Sequence, residues 1–352
     1  MPVFSHDEQM IADSVAAFCK RGEGIERVRR LRDAGQALDG ETWRAAAAQG
    51  WIGLLAPEDV GGLGLSVREA LVLLRALGRT VPFEPCSAAI SVAHCLGRIA
   101  PESRALAALL AGDEITVPVF SQSIAGAPDA LSGISATETD LAAADRFLLA
   151  SHSSKGTRLL LVERDAPGLS LGIAATRDGG SVGTLTLHDV AGELLADGEA
   201  AADAARDLAD MRRLCRAAEL IGLAHAAFDM TLDYLGTREQ FGVQIGSFQA
   251  LQHRAATLFV KISSADALLF EAARAFGTPR QRIAALGAMT QAMRTALDVG
   301  KEAIQMHGAI GFTDEFHVGF FLKRAMSLAA AEGGPDGMLT AAAADPGLAG
   351  HG

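Results

Sequence analysis

The feature that most constrains the fold is a proline-free, alanine-rich stretch of residues 201–236, AADAARDLADMRRLCRAAELIGLAHAAFDMTLDYLG. Because alanine has the highest helix propensity, this stretch predicts one long helix that ends near Gly236. Two further stretches with helical spacing follow at 246–276 and 279–308. Long consecutive helices of this kind pack as an antiparallel bundle. We therefore expect a C-terminal four-helix bundle over residues 198–340.

The part of the chain before this bundle predicts two domains of different character. Residues 1–113 have helical spacing, with one long loop at 50–66 in which proline and glycines forbid a continuous helix. Residues 114–197 instead contain short β-prone runs separated by Gly, Ser, Asp and Pro, with no helical pattern between them. Such a series predicts a compact antiparallel barrel or sandwich. The five runs are 114–121, 145–152, 157–165, 169–176 and 182–190.

The predicted fold class is therefore an α+β multidomain protein. It consists of an N-terminal helical domain, a small central β-barrel or sandwich and a C-terminal four-helix bundle. A chain of 352 residues also exceeds the roughly 250–300 residues that a single core supports. The last residues, 341–352, are expected to form a disordered tail.

Charge and composition exclude several classes of function. The net charge of −11 and the pI near 5.3 argue against a nucleic-acid partner. No apolar run reaches the roughly 18–20 residues of a membrane span, and the N-terminus lacks the basic region of a signal peptide. The four cysteines show no CxxC pairing, which is typical of reduced thiols. We expect a soluble cytoplasmic protein without a metal site.

Three motifs carry residues with chemical roles at fixed spacing. They are GLLAPEDVGGLGLS at 53–66, TREQFGVQIGSFQALQHRAA at 237–256 and QMHGAIGFTDEFHVGFFLKRA at 305–325. In the same order, they resemble the P-E-x-x-G-G-x-G loop, the R-x-x-F-G-x-x-I-x-x-F-Q-x-x-Q stretch and the Q-x-H-G-G-x-G-x-T-x-E motif of the acyl-CoA dehydrogenase family. The helical, β, helical order of the chain agrees with this family, and the resemblance spans most of the sequence.

The resemblance implies a flavoprotein that forms dimers or tetramers with FAD between subunits. The residues of the second motif that would reach the pyrophosphate and ring of the flavin across the subunit interface are Arg238, Gln240 and Phe241. The residues of the third motif that would bind its adenine–ribose end are Gln305, Gly308 and Gly311. A guanidinium can bind pyrophosphate oxygens through two parallel hydrogen bonds, and glycines let the backbone approach a cofactor closely. His307 is expected to orient the backbone of this motif rather than to bind a metal.

The reaction that the resemblance implies needs a carboxylate base beside the acyl α-carbon, while a hydride leaves the β-carbon for the flavin. The family places this glutamate a fixed distance after the glutamine of the third motif. The same count from Gln305 reaches Glu332 without a gap. A glutamate before Gly333 and Gly334 is also a common helix end, so both interpretations of Glu332 stay open.

A second family solution places the base directly before an arginine at the start of the first bundle helix. In this chain the corresponding pair is Arg212-Arg213. Arg212 cannot act as a base because a guanidinium stays protonated. Arg213 matches the family arginine and is predicted by this resemblance to be a substrate-binding residue. If this chain supplies a base, the sequence therefore favours Glu332.

The central domain departs from the family's pattern. Members open it with T-E-P-x-A-G-S-D, which contacts the acyl-CoA, and cover the flavin ring with a later K-x-W-I-T-N segment. This chain keeps only AGAPD at 125–129 and has no Trp after Trp51. In these departures the chain resembles the shorter chains of heteromeric acyl-CoA dehydrogenases from bacterial steroid and cholesterol side-chain breakdown. This region contains the small residues Ala127, Ala130 and Gly133. Two explanations stay open, that they leave room for a bulky ring system or that they reflect a bias in composition.

Three functions stay open at this point. The first is an FAD-dependent acyl-CoA dehydrogenase subunit that introduces an α,β double bond into an acyl-CoA thioester, including a bulky steroid-type one. The second is a non-redox hydratase or dehydratase on the same scaffold. The third is a non-catalytic partner that completes the FAD site of another chain. The implied partners are an acyl-CoA substrate, an electron-transfer acceptor and a second copy or a related chain.

Overall fold

The structure is a computed structural model of the chain. The residues that it describes are 4–21, 24–82, 84–121, 123–153 and 156–344. The chain divides into two compact units. The first unit comprises Met1–Val28, Leu71–Pro82 and Arg216–Gly352. The second unit comprises Arg29–Ala70 and Phe83–Cys215.

The helices are numbered along the chain. In the first third of the sequence they are α1 His6–Arg21, α2 Gly24–Ala34, α3 Gly40–Ala48, α4 Val67–Gly78, α5 Cys86–Ile99 and α6 Arg104–Ala111. After residue 197 they are α7 Gly198–Thr237, α8 Gln249–Ala275, α9 Gln281–His307, α10 Val318–Ala331 and α11 Gly334–Ala343. The predicted long helix is confirmed as α7, which ends one residue after Gly236.

The strands lie between these two groups of helices, apart from one short hairpin. They are β1 Thr116–Val119, β2 Ala125–Ala127, β3 Ala130–Ile134, β4 Glu138–Thr139, β5 Arg146–Ser153, β6 Gly156–Glu163, β7 Leu169–Ala175, β8 Ser181–Val190 and β9 Glu193–Asp197. The hairpin strands are β10 Glu239–Gln240 and β11 Val243–Gln244. The five strands predicted from the sequence are all present, as β1, β5, β6, β7 and β8.

The strands of the second unit form two sheets. One sheet has the order β1-β5-β6-β9, in which β1 and β5 run parallel and the other neighbours antiparallel. The other sheet has the order β2-β3-β8-β4, and β7 also pairs with β8. The predicted fold class, with N-terminal helices, a small central β domain and C-terminal helices, is confirmed.

Four short strands, β2, β3, β4 and β9, escape sequence-based prediction because their alanine, glycine and acidic residues have low β propensity. Gly133 in β3 has φ +140°, and a Cβ there would clash with the backbone of Ser123 and Ile124. The small size of Gly133 is therefore required by backbone packing. That this glycine also leaves room for a bulky substrate stays a prediction.

Two local features set the course of the chain near its N-terminus. The Ser5 hydroxyl accepts a hydrogen bond from the Glu8 amide at 3.2 Å, and the Glu8 carboxylate accepts one from the Ser5 amide at 2.8 Å. This reciprocal pair is a capping box at the start of α1. In the loop at 50–66, Gly62 lies against the Ala56 carbonyl so closely that a Cβ would clash with it. The glycine is thus needed for the path of the loop.

Within the first unit, α4 and α7 touch backbone to backbone. A Cβ on Gly222 of α7 would clash with the Arg75 carbonyl, and a Cβ on Gly78 of α4 would clash with the Glu219 carbonyl. In the same unit, α9 packs against α8 and α10. These contacts hold the helices that carry the second and third motifs in one compact body.

The division into domains 1–113, 114–197 and 198–340 with a tail 341–352 stays a prediction. The first residues of the predicted tail still belong to α11, and residues 345–352 lie outside the described residues. None of the described helices is both long and apolar enough to cross a membrane. In the described part of the chain, no three His, Cys, Asp or Glu side chains are grouped in a way that could hold a metal ion.

Candidate functional site

The second motif forms a tight hairpin directly after α7. Gln240 in β10 pairs with Val243 in β11, so that Phe241 and Gly242 make the turn. Both turn residues have positive φ, +56° and +76°, as a type I′ turn requires. A phenylalanine in this conformation is strained, and its ring is 91% exposed. A strained and exposed aromatic residue is more typical of a binding site than of a structural turn.

Arg238 stands at the base of this hairpin. Its amide donates to the Tyr234 carbonyl at 2.9 Å, which continues the last turn of α7. Its carbonyl accepts from the Ile245 amide at 2.8 Å, which closes the hairpin. The side chain is exposed and makes no ion pair with any residue that the structure describes. The guanidinium is thus fixed at its backbone but available to an external anion. Gln240 is also exposed, and its amide donates to the Glu239 carbonyl at 2.9 Å.

The third motif forms the turn between α9 and α10. Gly308, with φ +66°, ends α9, and apart from its chain neighbours no atom of the described residues lies within 4 Å of where its Cβ would be. The glycine therefore leaves bare backbone that a ligand can approach. Gly311 is buried, and a Cβ there would lie 2.7 Å from the Ile304 carbonyl oxygen and 3.0 Å from the His307 Cβ. Gln305 is exposed on the last turn of α9.

Aromatic stacking brings these two motifs together. Tyr234, one helical turn before Arg238, stacks on His307 with 4.4 Å between ring centroids. Phe316 packs against both, at 4.7 Å from His307 and 6.0 Å from Tyr234. The hairpin and the glycine turn therefore lie at the same end of the bundle. Sequence analysis did not single out Tyr234, although its position one turn before Arg238 is a usable signal.

The residues present fit an adenine dinucleotide of the flavin type. The unpaired Arg238 guanidinium suits a pyrophosphate, since a fixed donor pair matches two phosphate oxygens. The exposed Phe241 ring offers an apolar surface to a flavin ring, and the bare backbone at Gly308 allows close approach of a ribose or adenine. These groups all face outward from this unit, so a ligand bound here also needs covering from elsewhere.

Glu332 is not part of this cluster. It follows the last residue of α10, and Gly333 after it has φ +78°. Because α10 has 14 residues, it is about 20 Å long and separates Glu332 from the glycine turn where the helix begins. The Glu332 side chain is half-buried. Its assignment as the base stays a prediction.

Arg212 and Arg213 lie on the first half of α7, in the second unit. The Arg212 guanidinium is 4% exposed, lies 3.5 Å from the Asp140 carboxylate and donates to the Thr139 hydroxyl at 3.4 Å. The position of the alternative base is thus held by a buried, ion-paired cation. Arg213 pairs with Asp210 at 2.9 Å and is 20% exposed, so a substrate can reach part of it. Its predicted role in substrate binding stays a prediction.

Comparison with protein-family models gives two matches. Residues 5–101 match the N-terminal domain of acyl-CoA dehydrogenases, and residues 196–345 match their C-terminal domain. Together these segments contain all three motifs and cover well over half of the chain. The unmatched part is mainly the β domain, where the sequence departs from the family's pattern.

Known proteins similar to this chain give the same result. The chain is 30% identical to the acyl-CoA dehydrogenase IpdE2 of Mycolicibacterium smegmatis, over 94% of this chain and 96% of that protein. Among solved structures, the ChsE4-ChsE5 complex from Mycobacterium tuberculosis is 27% identical to it, with a TM-score of 0.87 over 97% of both chains. The Tcur3481-Tcur3483 steroid ACAD is also 27% identical, with a TM-score of 0.86 over 95% of this chain and 96% of that chain.

A more distant relative shows a flavin on the same fold. A glutaryl-CoA dehydrogenase from Mycobacterium smegmatis, solved in complex with FADH2, is 20% identical, with a TM-score of 0.83 over 96% of this chain and 93% of that one. At this identity the likeness concerns the fold alone. That neighbour holds a reduced flavin.

Proposed function

This chain belongs to the acyl-CoA dehydrogenase family, and from that premise we propose that it is a subunit of an FAD-dependent dehydrogenase acting on a bulky, steroid-type acyl-CoA. FAD, the cofactor predicted from the sequence, is confirmed as the cofactor for this family and fold. The observation that carries the proposal is the outward-facing, unpaired Arg238 beside the exposed Phe241 and the bare Gly308 backbone.

The groups at the end of the bundle would hold the flavin as follows. Arg238 binds the pyrophosphate, Phe241 packs on the ring system, and the glycine turn with Gln305 receives the adenine–ribose end. Gly311 contributes by letting the turn pack tightly against His307. When bound, FAD supplies the acceptor for the hydride that leaves the acyl β-carbon.

The substrate side of the proposal rests on two residues. Glu332 removes the proton from the α-carbon, which leaves an electron pair to form the α,β double bond as the hydride departs. A half-buried carboxylate suits this task because it is partly shielded from water and can still be reached by a substrate. Arg213 orients the acyl-CoA, and an electron-transfer acceptor reoxidises the cofactor.

We assign the flavin site to an interface between this chain and a related, unlike chain. The exposed apolar residues at the end of the bundle support this, because isolated monomers rarely expose so many together. They are Phe241, Val243, Phe248, Ile310 and Phe312. The ChsE4-ChsE5 neighbour is itself a complex of two different chains. The altered β domain of this chain would then be compensated by its partner.

The experiment that tests the proposed activity is incubation of the purified assembly with steroid-type and straight-chain acyl-CoA thioesters and an artificial electron acceptor. Mass spectrometry of the thioester should show a product that has lost two hydrogens, accompanied by bleaching of the oxidised flavin when the acceptor is omitted. Gain or loss of water without bleaching would instead identify the hydratase or dehydratase alternative. Activity found only in the partner chain, and unchanged by Glu332→Gln, would reduce this chain to a non-catalytic subunit.

A further inference from the structure

His307 is a residue of the third motif but is not among the residues assigned to FAD. Its side chain is 3% exposed, and it contacts α7 and two residues of the turn between α9 and α10. Tyr234 of α7 stacks on one side of the ring, Phe316 packs at a tilt of 46°, and the Gly311 backbone lies against its Cβ. We call Tyr234, His307 and Phe316 the aromatic clamp.

The hydrogen bonds of His307 define its protonation state. Nδ1 lies 2.7 Å from the Ala303 carbonyl oxygen, so Nδ1 carries a proton and donates it. Nε2 is buried and has no hydrogen-bond partner among the described residues. A proton on Nε2 would place an unsatisfied charge in the interior, which is costly. The geometry therefore selects the neutral ring.

A continuous series of contacts links the hairpin to the glycine turn through this ring. The Arg238 amide is bonded to the Tyr234 carbonyl, Tyr234 is stacked on His307, and His307 is packed against Gly311. Displacing the ring would release the hairpin and the turn from each other. The pyrophosphate and the adenosine of one FAD molecule are a fixed distance apart. The hairpin and the glycine turn must therefore be held at a matching distance to bind both, and the contacts through His307 set that distance.

We propose that His307 is a positioning residue, and that the aromatic clamp holds the Arg238 hairpin and the Gly308–Gly311 turn in register for FAD only while the His307 ring is neutral. The inference rests on the proposed function, because it assigns the clamp to the same flavin surface. Burial lowers the pKa of His307 from its ordinary value, and the bond to the Ala303 carbonyl opposes that shift only in part. Tyr234 is the other titratable group that faces the ring, and no described charged side chain contributes to the shift.

The lowered pKa of His307 means that the clamp is less stable at acidic pH. Because the pKa of His307 is lower in the folded chain than its ordinary value of about 6.5, the unfolded chain binds the proton more readily in the interval between the two values. Stability of the clamp is therefore fully present above about pH 6.5 and falls as the pH falls toward the lowered pKa. FAD retention should weaken with it on the acidic side.

Two variants separate the stacking role from the titration. His307→Phe keeps an aromatic ring in the clamp but cannot be protonated, whereas His307→Ala removes the ring. FAD binding to the assembly would be titrated by flavin fluorescence between about pH 8 and pH 5, the range in which histidine titrates. The wild type should lose affinity as the pH falls, and His307→Phe should bind as the wild type does at pH 8 without that loss. His307→Ala should bind roughly tenfold or more weakly at every pH, an effect of about 1.4 kcal/mol.

A second readout needs no flavin. Hydrogen exchange of the hairpin amides at 238–245 should be faster in His307→Ala than in the wild type and unchanged in His307→Phe at pH 8. Wild-type affinity in His307→Ala, or an unchanged pH profile in His307→Phe, would overturn the inference while leaving the proposed function intact. If no assembly binds FAD but the exchange pattern holds, the clamp is supported as a structural link and the flavin role of both proposals is overturned.

Discussion

Arg216 in α7 and Arg238 at the base of the hairpin directly after α7 show how differently the same side chain is used within one unit. Arg216 is 1% exposed and pairs with Glu219 at 2.9 Å, and Glu219 also accepts from Arg324 at 3.2 Å. Arg238 is exposed and makes no ion pair with a described residue. A buried charge is costly unless it is paired, so Arg216 is committed to holding helices together. The exposed Arg238 guanidinium is instead available to bind an anionic ligand.

This contrast is a criterion for separating structural from binding charges. In the buried group, removal of one partner should change the stability of the fold. At the exposed hairpin, removal of the charge should change ligand binding and leave the fold unchanged. Both residues lie in the same unit, so their effects can be compared in one protein.

The largest effect is expected for Glu219→Ala. Removing this carboxylate leaves the buried Arg216 without the partner at 2.9 Å, and breaking a buried ion pair in this way destabilises proteins by about 3–5 kcal/mol. Chemical denaturation of the variant should show this loss in the free energy of unfolding. A loss below about 1 kcal/mol, the scale of an exposed pair, would mean that the buried group does not hold the helices together.

Glu332→Gln should change activity rather than stability. The substitution keeps the shape of the side chain but removes the proton acceptor, and loss of a general base lowers turnover by roughly 10²–10⁴-fold. FAD content and the melting temperature should stay at wild-type values. Turnover within a factor of a few of the wild type would place the base on the partner chain.

Arg238→Ala should weaken FAD retention without altering the fold. Loss of a hydrogen bond to a charged phosphate costs about 1.5–3 kcal/mol, which equals roughly a 10- to 150-fold rise in the dissociation constant. Flavin fluorescence titration measures this change, and thermal melting of the cofactor-free chain should be unaffected. Unchanged FAD affinity would show that the hairpin has been misassigned.

The smallest effect is expected for Arg274→Ala, the matched control. This arginine of α8 is 68% exposed and pairs with Glu271 one turn away. Exposed pairs of this spacing contribute about 0.3–0.5 kcal/mol, so neither the free energy of unfolding nor FAD affinity should change appreciably. A loss of FAD affinity comparable to that of Arg238→Ala would mean that general surface charge, rather than the hairpin, attracts the cofactor.

Much of the fold follows from the sequence because its signals are local. The long helix α7 depends on residues a turn or less apart and was predicted correctly. The strands β2, β3, β4 and β9 were missed because pairing with distant neighbours, rather than their own propensities, makes them strands. The backbone role of Gly133 was not predicted for the same reason, since it lies in a contact with Ser123.

The candidate site was less accessible to sequence analysis. The motifs identify Arg238 and Gly308, but not that Tyr234 and His307 stack and so place both at one end of the bundle. The separation of Glu332 from that end also depends on the course of α10, which a spacing count does not include. Whether Glu332 lies beside a substrate depends on a flavin and a second chain, neither of which the sequence of one subunit specifies.

The most direct test of the account is the FAD content per chain, measured from released flavin, for this protein purified alone and together with a related partner chain. We expect well below one FAD per chain for the protein alone, because its flavin-contact surface faces outward and needs covering. Flavin content should rise when the partner is present. One tightly held FAD per chain in the protein purified alone would contradict the shared site and show that copies of this chain complete it by themselves.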